Sequence, residues 1–194
     1  MTSPSIDWPR GRLRGLALIL LCFVSGAALA QDVLVDKSEI RFTSRQMGVN
    51  VDGRFRKWTA SIVFLPADLA KSSASFDIDI ASIDLASADS ESEIKDKVWF
   101  DTAKFPVAKF ASTSIKDAGG GKYEAAGTLT MKGISKPAVV PFSVSKDAAG
   151  NAVADGTFTI KRLDYKIGEG EWADTSTVAN EVLVKFHMVL PPAK

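Results

Sequence analysis

Residues 123–142 read YEAAGTLTMKGISKPAVVPF, and no other stretch restricts the fold of this chain as tightly. Ala125, Gly127, Leu129 and Met131 fall on one face of an extended chain, with Ala126, Thr128 and Thr130 on the other. A period of two belongs to a strand with one buried and one wet face. Lys132-Gly133 then supplies turn chemistry, because glycine adopts the positive φ that most residues resist. After Ser135-Lys136-Pro137 the apolar pattern resumes from Val139 to Val144. The stretch is expected to form an antiparallel β-hairpin.

The first thirty residues follow a different logic. Arg10, Arg12 and Arg14 precede an apolar run, Leu16 to Val24, and the small-residue tail ends in Ala28-Leu29-Ala30. This is the layout of a bacterial-type secretory signal, with cleavage expected between Ala30 and Gln31 and a periplasmic destination. The run falls short of the roughly 20 apolar residues a membrane span requires. Leu21 ahead of Cys22 is not the small residue of a lipoprotein signal, and the arginines are not adjacent, which disfavours a twin-arginine route. Residues 31–194 are expected to form one domain.

No cysteine follows residue 30, so that domain has neither a disulfide framework nor thiolate chemistry. The whole chain carries +1; residues 1–30 contain three arginines and one aspartate, so the remainder sits near −1. A near-neutral domain without a basic run lacks the electrostatic footprint of a nucleic-acid binder.

Along the domain the alternation recurs. Val33 to Val35 and Ile40 to Ser44 open it, and residues 47–53 read as a Gly- and Asn-containing connection. From Arg54 to Leu65, Trp58, Ala60, Ile62 and Phe64 share a face; Phe55 is out of phase, which predicts a bend near Arg56-Lys57. Ser73 to Leu85 places Phe76, Ile78 and Ile80 inward. A single helix is expected from Glu91 to Phe100, with Ser90 as N-cap and Glu93 completing a capping box. Val107–Ile115, Thr157–Leu163 and Glu181–Leu190 complete the strands, the last presenting Val182, Val184, Phe186 and Met188 together, and 163–177 reads as a long polar loop. About eight evenly spaced strands point to an antiparallel barrel or sandwich. The expected inward set is Phe42, Trp58, Ile62, Phe64, Phe76, Ile80, Leu129, Met131, Phe142, Phe158, Ile160 and Phe186. A barrel of this size is either filled by such side chains or just wide enough for one slender ligand. Ala60, Ala125 and Gly127, interleaved on the same faces, favour room inside.

No catalytic residue and no metal site emerges. His187 is the only histidine, so with no cysteine in the domain it cannot build a usual zinc or haem site. The serines have no base partner and no G-x-S-x-G elbow. Asp79 and Asp84, or Glu169, Glu171 and Asp174, match no calcium-loop spacing and read as solvated charge.

Five segments together resemble the YceI-like family: Asp36 to Phe42 (DKSEIRF), Gly53-Arg54-Phe55, Ile78 to Asp84 (IDIASID), Trp99 to Pro106 (WFDTAKFP) and, most specific, Gly127 to Pro137 (GTLTMKGISKP). The resemblance implies a secreted bacterial protein with a single antiparallel eight-stranded lipocalin-like barrel and one short helix, all-β in class. It further implies a non-enzymatic binding or carrier protein for a polyisoprenoid or another long-chain amphiphile, isoprenoid quinones included. No cofactor beyond such a bound lipid is implied. Related domains occur beside membrane b-type cytochromes, which makes such a cytochrome the alternative partner, and a homodimer is left open. Trp99, Tyr165, Trp172 and Arg162 become candidates for the rim, where aromatic residues with polar handles and a cation would meet a headgroup. Two departures bear on that headgroup. The family's helix usually carries Arg, Asp and His, whereas Ser90 to Lys97 has neither Arg nor His; and the usual Arg-Ser-Asp-Phe-Gly is replaced by Arg162 to Gly168 (RLDYKIG), followed by an acidic insert to Thr175.

Overall fold

Strands with one apolar face and no long helix to cover it must bury that face against one another, and a curled sheet does so. The structure is a computed structural model describing residues 31–192. The segment read as a secretory signal, 1–30, lies outside the described residues. The strands are β1 (Glu39–Gln46), β2 (Val49–Phe55), β3 (Trp58–Val63), β4 (Ser73–Asp79) and β5 (Ile83–Asp84). They continue with β6 (Val107–Gly119), β7 (Lys122–Met131), β8 (Ile134–Lys146), β9 (Ala152–Lys161) and β10 (Glu181–Leu190). All ten belong to one antiparallel sheet in the order β3-β4-β6-β7-β8-β9-β10-β1-β2-β5.

Ten strands stand where eight are expected, and backbone kinks explain the difference. β2 and β3 are halves of one strand broken at Arg56-Lys57, where the phase slip of Phe55 predicts a bend; β4 and β5 are separated by a single 3-10 turn, Ile80–Ser82. At the breaks the sheet meets itself. The Arg56 N–H donates to the Ser82 carbonyl (3.0 Å) and the Asp79 N–H to that of Lys57 (3.1 Å). Asp84 fastens the join from β5, accepting from Arg54 Nε (2.6 Å) and Arg56 Nη2 (2.5 Å). Walked around its circumference, the barrel has eight sides.

Three local expectations are corrected. Residues 47–53 are mostly β2, because Met47 and Gly48 both take positive φ (48° and 81°) and close a two-residue hairpin. The Asn, Asp and Gly in β2 conceal a strand whose glycine is required: a Cβ on Gly53 would sit 2.3 Å from the Phe42 ring, which lies over it. Val33–Val35 is not a strand; the chain passes into a 3-10 turn at Val35–Lys37. The helix α1 spans only Ala88–Glu93, capped by Ser87 rather than Ser90, and the Glu91 carboxylate reaches back to the Leu85 N–H (3.0 Å). Residues 94–105 continue as turns, in which Ile94, Trp99 and Phe100 fold down onto the barrel end while Val98 stays exposed.

Candidate functional site: an apolar tunnel closed by a polar cap

Two chambers run end to end inside the barrel. The first, a cavity of about 120 Å³, is lined by Ile62, Phe64, Phe76, Phe142 and Phe186 among others. The second, also about 120 Å³, lies toward α1 and is lined by Phe42, Ile80, Met131 and Ile160. Leu129 and Phe158 line both, so the chambers adjoin and together make up the barrel's interior tunnel. Of the twelve expected interior residues only Trp58 faces neither chamber; it is buried in the wall with Ile40, Ile62 and Met188. Sequence reasoning left out Ile40, which also lines both chambers and whose alternation with Phe42 could have revealed it. The strands are 10–13 residues long between β6 and β10. With a rise of about 3.3 Å per residue and a tilt near 40°, the barrel wall is roughly 25–30 Å tall.

The walls of the first chamber are hydrocarbon throughout. Several linings, Phe158 and Phe186 among them, are only half-buried although they point inward, because they border empty space. An apolar void of this kind stays dry and takes apolar guests. Gly127, read as leaving room, has another role: a Cβ there would meet the Ala111 carbonyl at 2.3 Å, beside a bulge that shifts register between Ser112 and Ser114. Phe64, Tyr123 and Phe142 lie across the end distal to α1, with ring centroids 5.0–6.1 Å apart.

The opposite end is capped by residues 162–180, and here the expected rim dissolves. Arg162 is not a rim residue available to a phosphate: it is 2% exposed. Its Nε donates to the Ala179 carbonyl, Nη1 to Ile167 and Gly168, and Nη2 to Trp172 and Val178, all within 2.6–3.0 Å. Five donors thus meet five carbonyls, no carboxylate of the described residues pairs with the group, and burial pushes its pKa down from the ordinary value. A guanidinium stays charged regardless. Tyr165 is likewise buried, in the core cluster of Ile80, Leu129 and Met131, where desolvation raises its phenol pKa. The residues read as a polar loop are a folded plug. Trp172 stacks on Trp99 (centroids 5.6 Å, tilted 43°) but lines neither chamber. Trp99 alone of the aromatic rim candidates borders the tunnel; its Nε1 is buried without a hydrogen-bond partner. Lys132 adds a second clamp: its Nζ donates to the Lys166 carbonyl (2.6 Å) and pairs with Glu169 (3.2 Å). Neither clamp is legible in the residue order, which shows only basic residues near turns.

His187 lies on the outer face of β10, half-buried, with Nδ1 2.7 Å from the Asp155 carboxylate. Asp79 caps the Ile80–Ser82 turn through the Ala81 N–H and Asp84 is tied to two arginines, so both acids have structural partners. Among the described residues no cluster of three metal-ligating side chains occurs.

Comparison with known proteins fits this architecture. Residues 32–190 match the YceI-like domain. A UPF0312 protein of Pseudomonas syringae pv. syringae is 30% identical over 174 residues, covering 84% of this chain and 91% of that one. Among solved structures, BcnA of Burkholderia cenocepacia is 42% identical with a TM-score of 0.78, over 81% of this chain and 99% of its own. A polyisoprenoid-binding domain of Saccharophagus degradans, implicated in plant cell wall breakdown, superposes with a TM-score of 0.65 at 18% identity, over 84% and 98% of the two chains, a likeness of fold. The domain match spans nearly the entire described chain, and the protein belongs to the YceI-like family.

Proposed function

We propose that this protein is a non-enzymatic carrier that holds a polyisoprenoid or similar long-chain amphiphile, an isoprenoid quinone among them, in its tunnel, and that it acts in the periplasm. The observation that carries the reading is the pair of chambers that adjoin at Leu129 and Phe158, the first of them lined by apolar side chains alone. Burying hydrocarbon there gains on the order of 25 cal/mol per Å², so a prenyl chain binds without catalytic groups. Two narrow chambers set end to end along the barrel axis suit an extended chain better than a compact ligand. The polyisoprenoid binding named for the Saccharophagus degradans domain supports the same ligand class.

Native mass spectrometry of the protein purified from its own periplasm tests the proposal. The expected result is a mass increment matching a prenyl lipid or quinone. A clean apo mass that does not change on adding an isoprenoid quinone overturns it.

A further inference from the structure

A tunnel capped by the Arg162 plug at one end and crossed by Phe64, Tyr123 and Phe142 at the other leaves open how a long apolar chain gets in. The ladder between neighbouring strands stops short at several places among the described residues, and one of them lies beside both chambers. β8 pairs with β7 along its length from Ile134 to Ser143, and β9 pairs with β10 from Lys161 to Ala152. Between β8 and β9, however, the ladder runs only from Lys146↔Ala152 to Phe142↔Gly156 and then stops. Residues 134–141 of β8 and 157–161 of β9 are regular strands, each hydrogen-bonded on its outer side, with no ladder joining them to each other among the described residues. Pro137 and Pro141 fall within this stretch of β8 and have no N–H to offer. Across the cap end of the gap lie two side-chain ion pairs, Lys136 with Asp164 at 3.8 Å and Lys132 with Glu169 at 3.2 Å, the latter reinforced by the Lys132 donation to the Lys166 carbonyl.

The gap coincides with the tunnel. Phe158, on the unpaired part of β9, is one of the residues lining both chambers, and across the gap Ala138 and the buried Val140 belong to the core clusters it packs against. Where the ladder ends, an outer groove includes Pro141, Phe142, Gly156 and Thr157, and two of its linings, Phe142 and Phe186, also line the first chamber. The wall between groove and chamber there is glycine backbone covered by the Phe186 ring, which would be 2.2 Å from any Cβ on Gly156.

We infer that the unpaired seam between residues 134–141 and 157–161 is a lateral portal through which the apolar chain of the ligand passes into the tunnel; this rests on the carrier reading. Where two strands are laddered, parting them breaks backbone hydrogen bonds that are costly to leave unsatisfied. Along the seam there is no ladder to break, and it is held by the packing of Phe158 against Val140 and, at its cap end, by the Lys136–Asp164 and Lys132–Glu169 ion pairs. A side opening admits a flexible chain along its length, without unfolding the cap that Arg162 holds.

The test is to staple the seam. Continuing the register from Phe142↔Gly156 places Val139 opposite Thr159, both exposed. V139C/T159C, made in the cysteine-free 31–194 chain and joined by a short bismaleimide, is compared with S143C/D155C, which staples the paired half of the same two strands. Loading is followed with diprenyl ubiquinone as quencher of tryptophan fluorescence. Joining V139C/T159C is expected to slow uptake by about tenfold or more, as for a blocked gating motion. The unjoined variant and the stapled S143C/D155C should load like wild type, and quinone bound before stapling should be retained. Uptake by stapled V139C/T159C at the unstapled rate overturns the portal while leaving the carrier reading intact. Failure of every form, wild type included, to take up the quinone overturns the carrier reading and the portal with it.

Discussion

The two ends of the tunnel are built on opposite principles. Around the first chamber, inward side chains come from alternating strand positions and are packed loosely enough to leave space, so that aromatic rings border a void. At the cap, a fully buried guanidinium spends every donor on backbone carbonyls, and the fold there is held by hydrogen bonds. The chamber can be altered without losing the barrel, whereas the cap stands or falls as a unit. A binding protein needs both: a cavity that tolerates a guest, and a rigid stop that keeps the cavity from collapsing.

The comparison is broken most directly at Arg162. R162A strands five carbonyls and removes the group they surround, so it is expected to lower unfolding free energy by about 3–5 kcal/mol in chemical denaturation. R162K, with three donors and no fork, should recover only part of the loss. Inside the tunnel the effects should be smaller and graded by packing. M188A removes a side chain that is 1% exposed and is expected to cost about 2–5 kcal/mol. F158A removes a ring that already borders empty space, so about 1–2 kcal/mol is expected, with a larger relative loss of quinone binding. If F158A proves as damaging as M188A, the void beside it is not a true cavity.

The smallest effect sharpens a different contrast, between the buried cation of the cap and the exposed ion cluster at the barrel join. Arg56 and Arg54 hold the Asp84 carboxyl at about 2, below its ordinary 3.8. A depressed carboxyl stabilises the fold above its unfolded-state pKa and loses that contribution as pH falls through the folded value. Wild type should therefore lose a modest increment of stability between about pH 4 and pH 2 that D84N lacks, the two converging at the acid end. Parallel denaturation curves for the two proteins across that range would show that Asp84 does not tie the join.

Much of the barrel was written in the order of residues. The hairpin of β7 and β8, the inward set from Phe42 to Phe186 and the break at Arg56-Lys57 all follow from a period of two and its interruptions, which are local properties of an extended chain. The β1–β2 hairpin escaped because its turn uses Met47 at positive φ, which side-chain preference argues against, and because Asn, Asp and Gly in β2 look like loop residues until the Phe42 ring covers Gly53.

The class of the fold, the apolar character of its interior and the family all follow from residue order, because periodicity and motif spacing are readable one residue at a time. The burial of Arg162 and Tyr165 away from any rim, the place of Trp58 in the wall and the parting of β8 from β9 beyond Phe142 and Gly156 arise only on folding. Those outcomes depend on carbonyls, rings and strand edges contributed by segments far apart in the chain. A hydrogen-bond partner or an unpaired edge exists only once those segments meet.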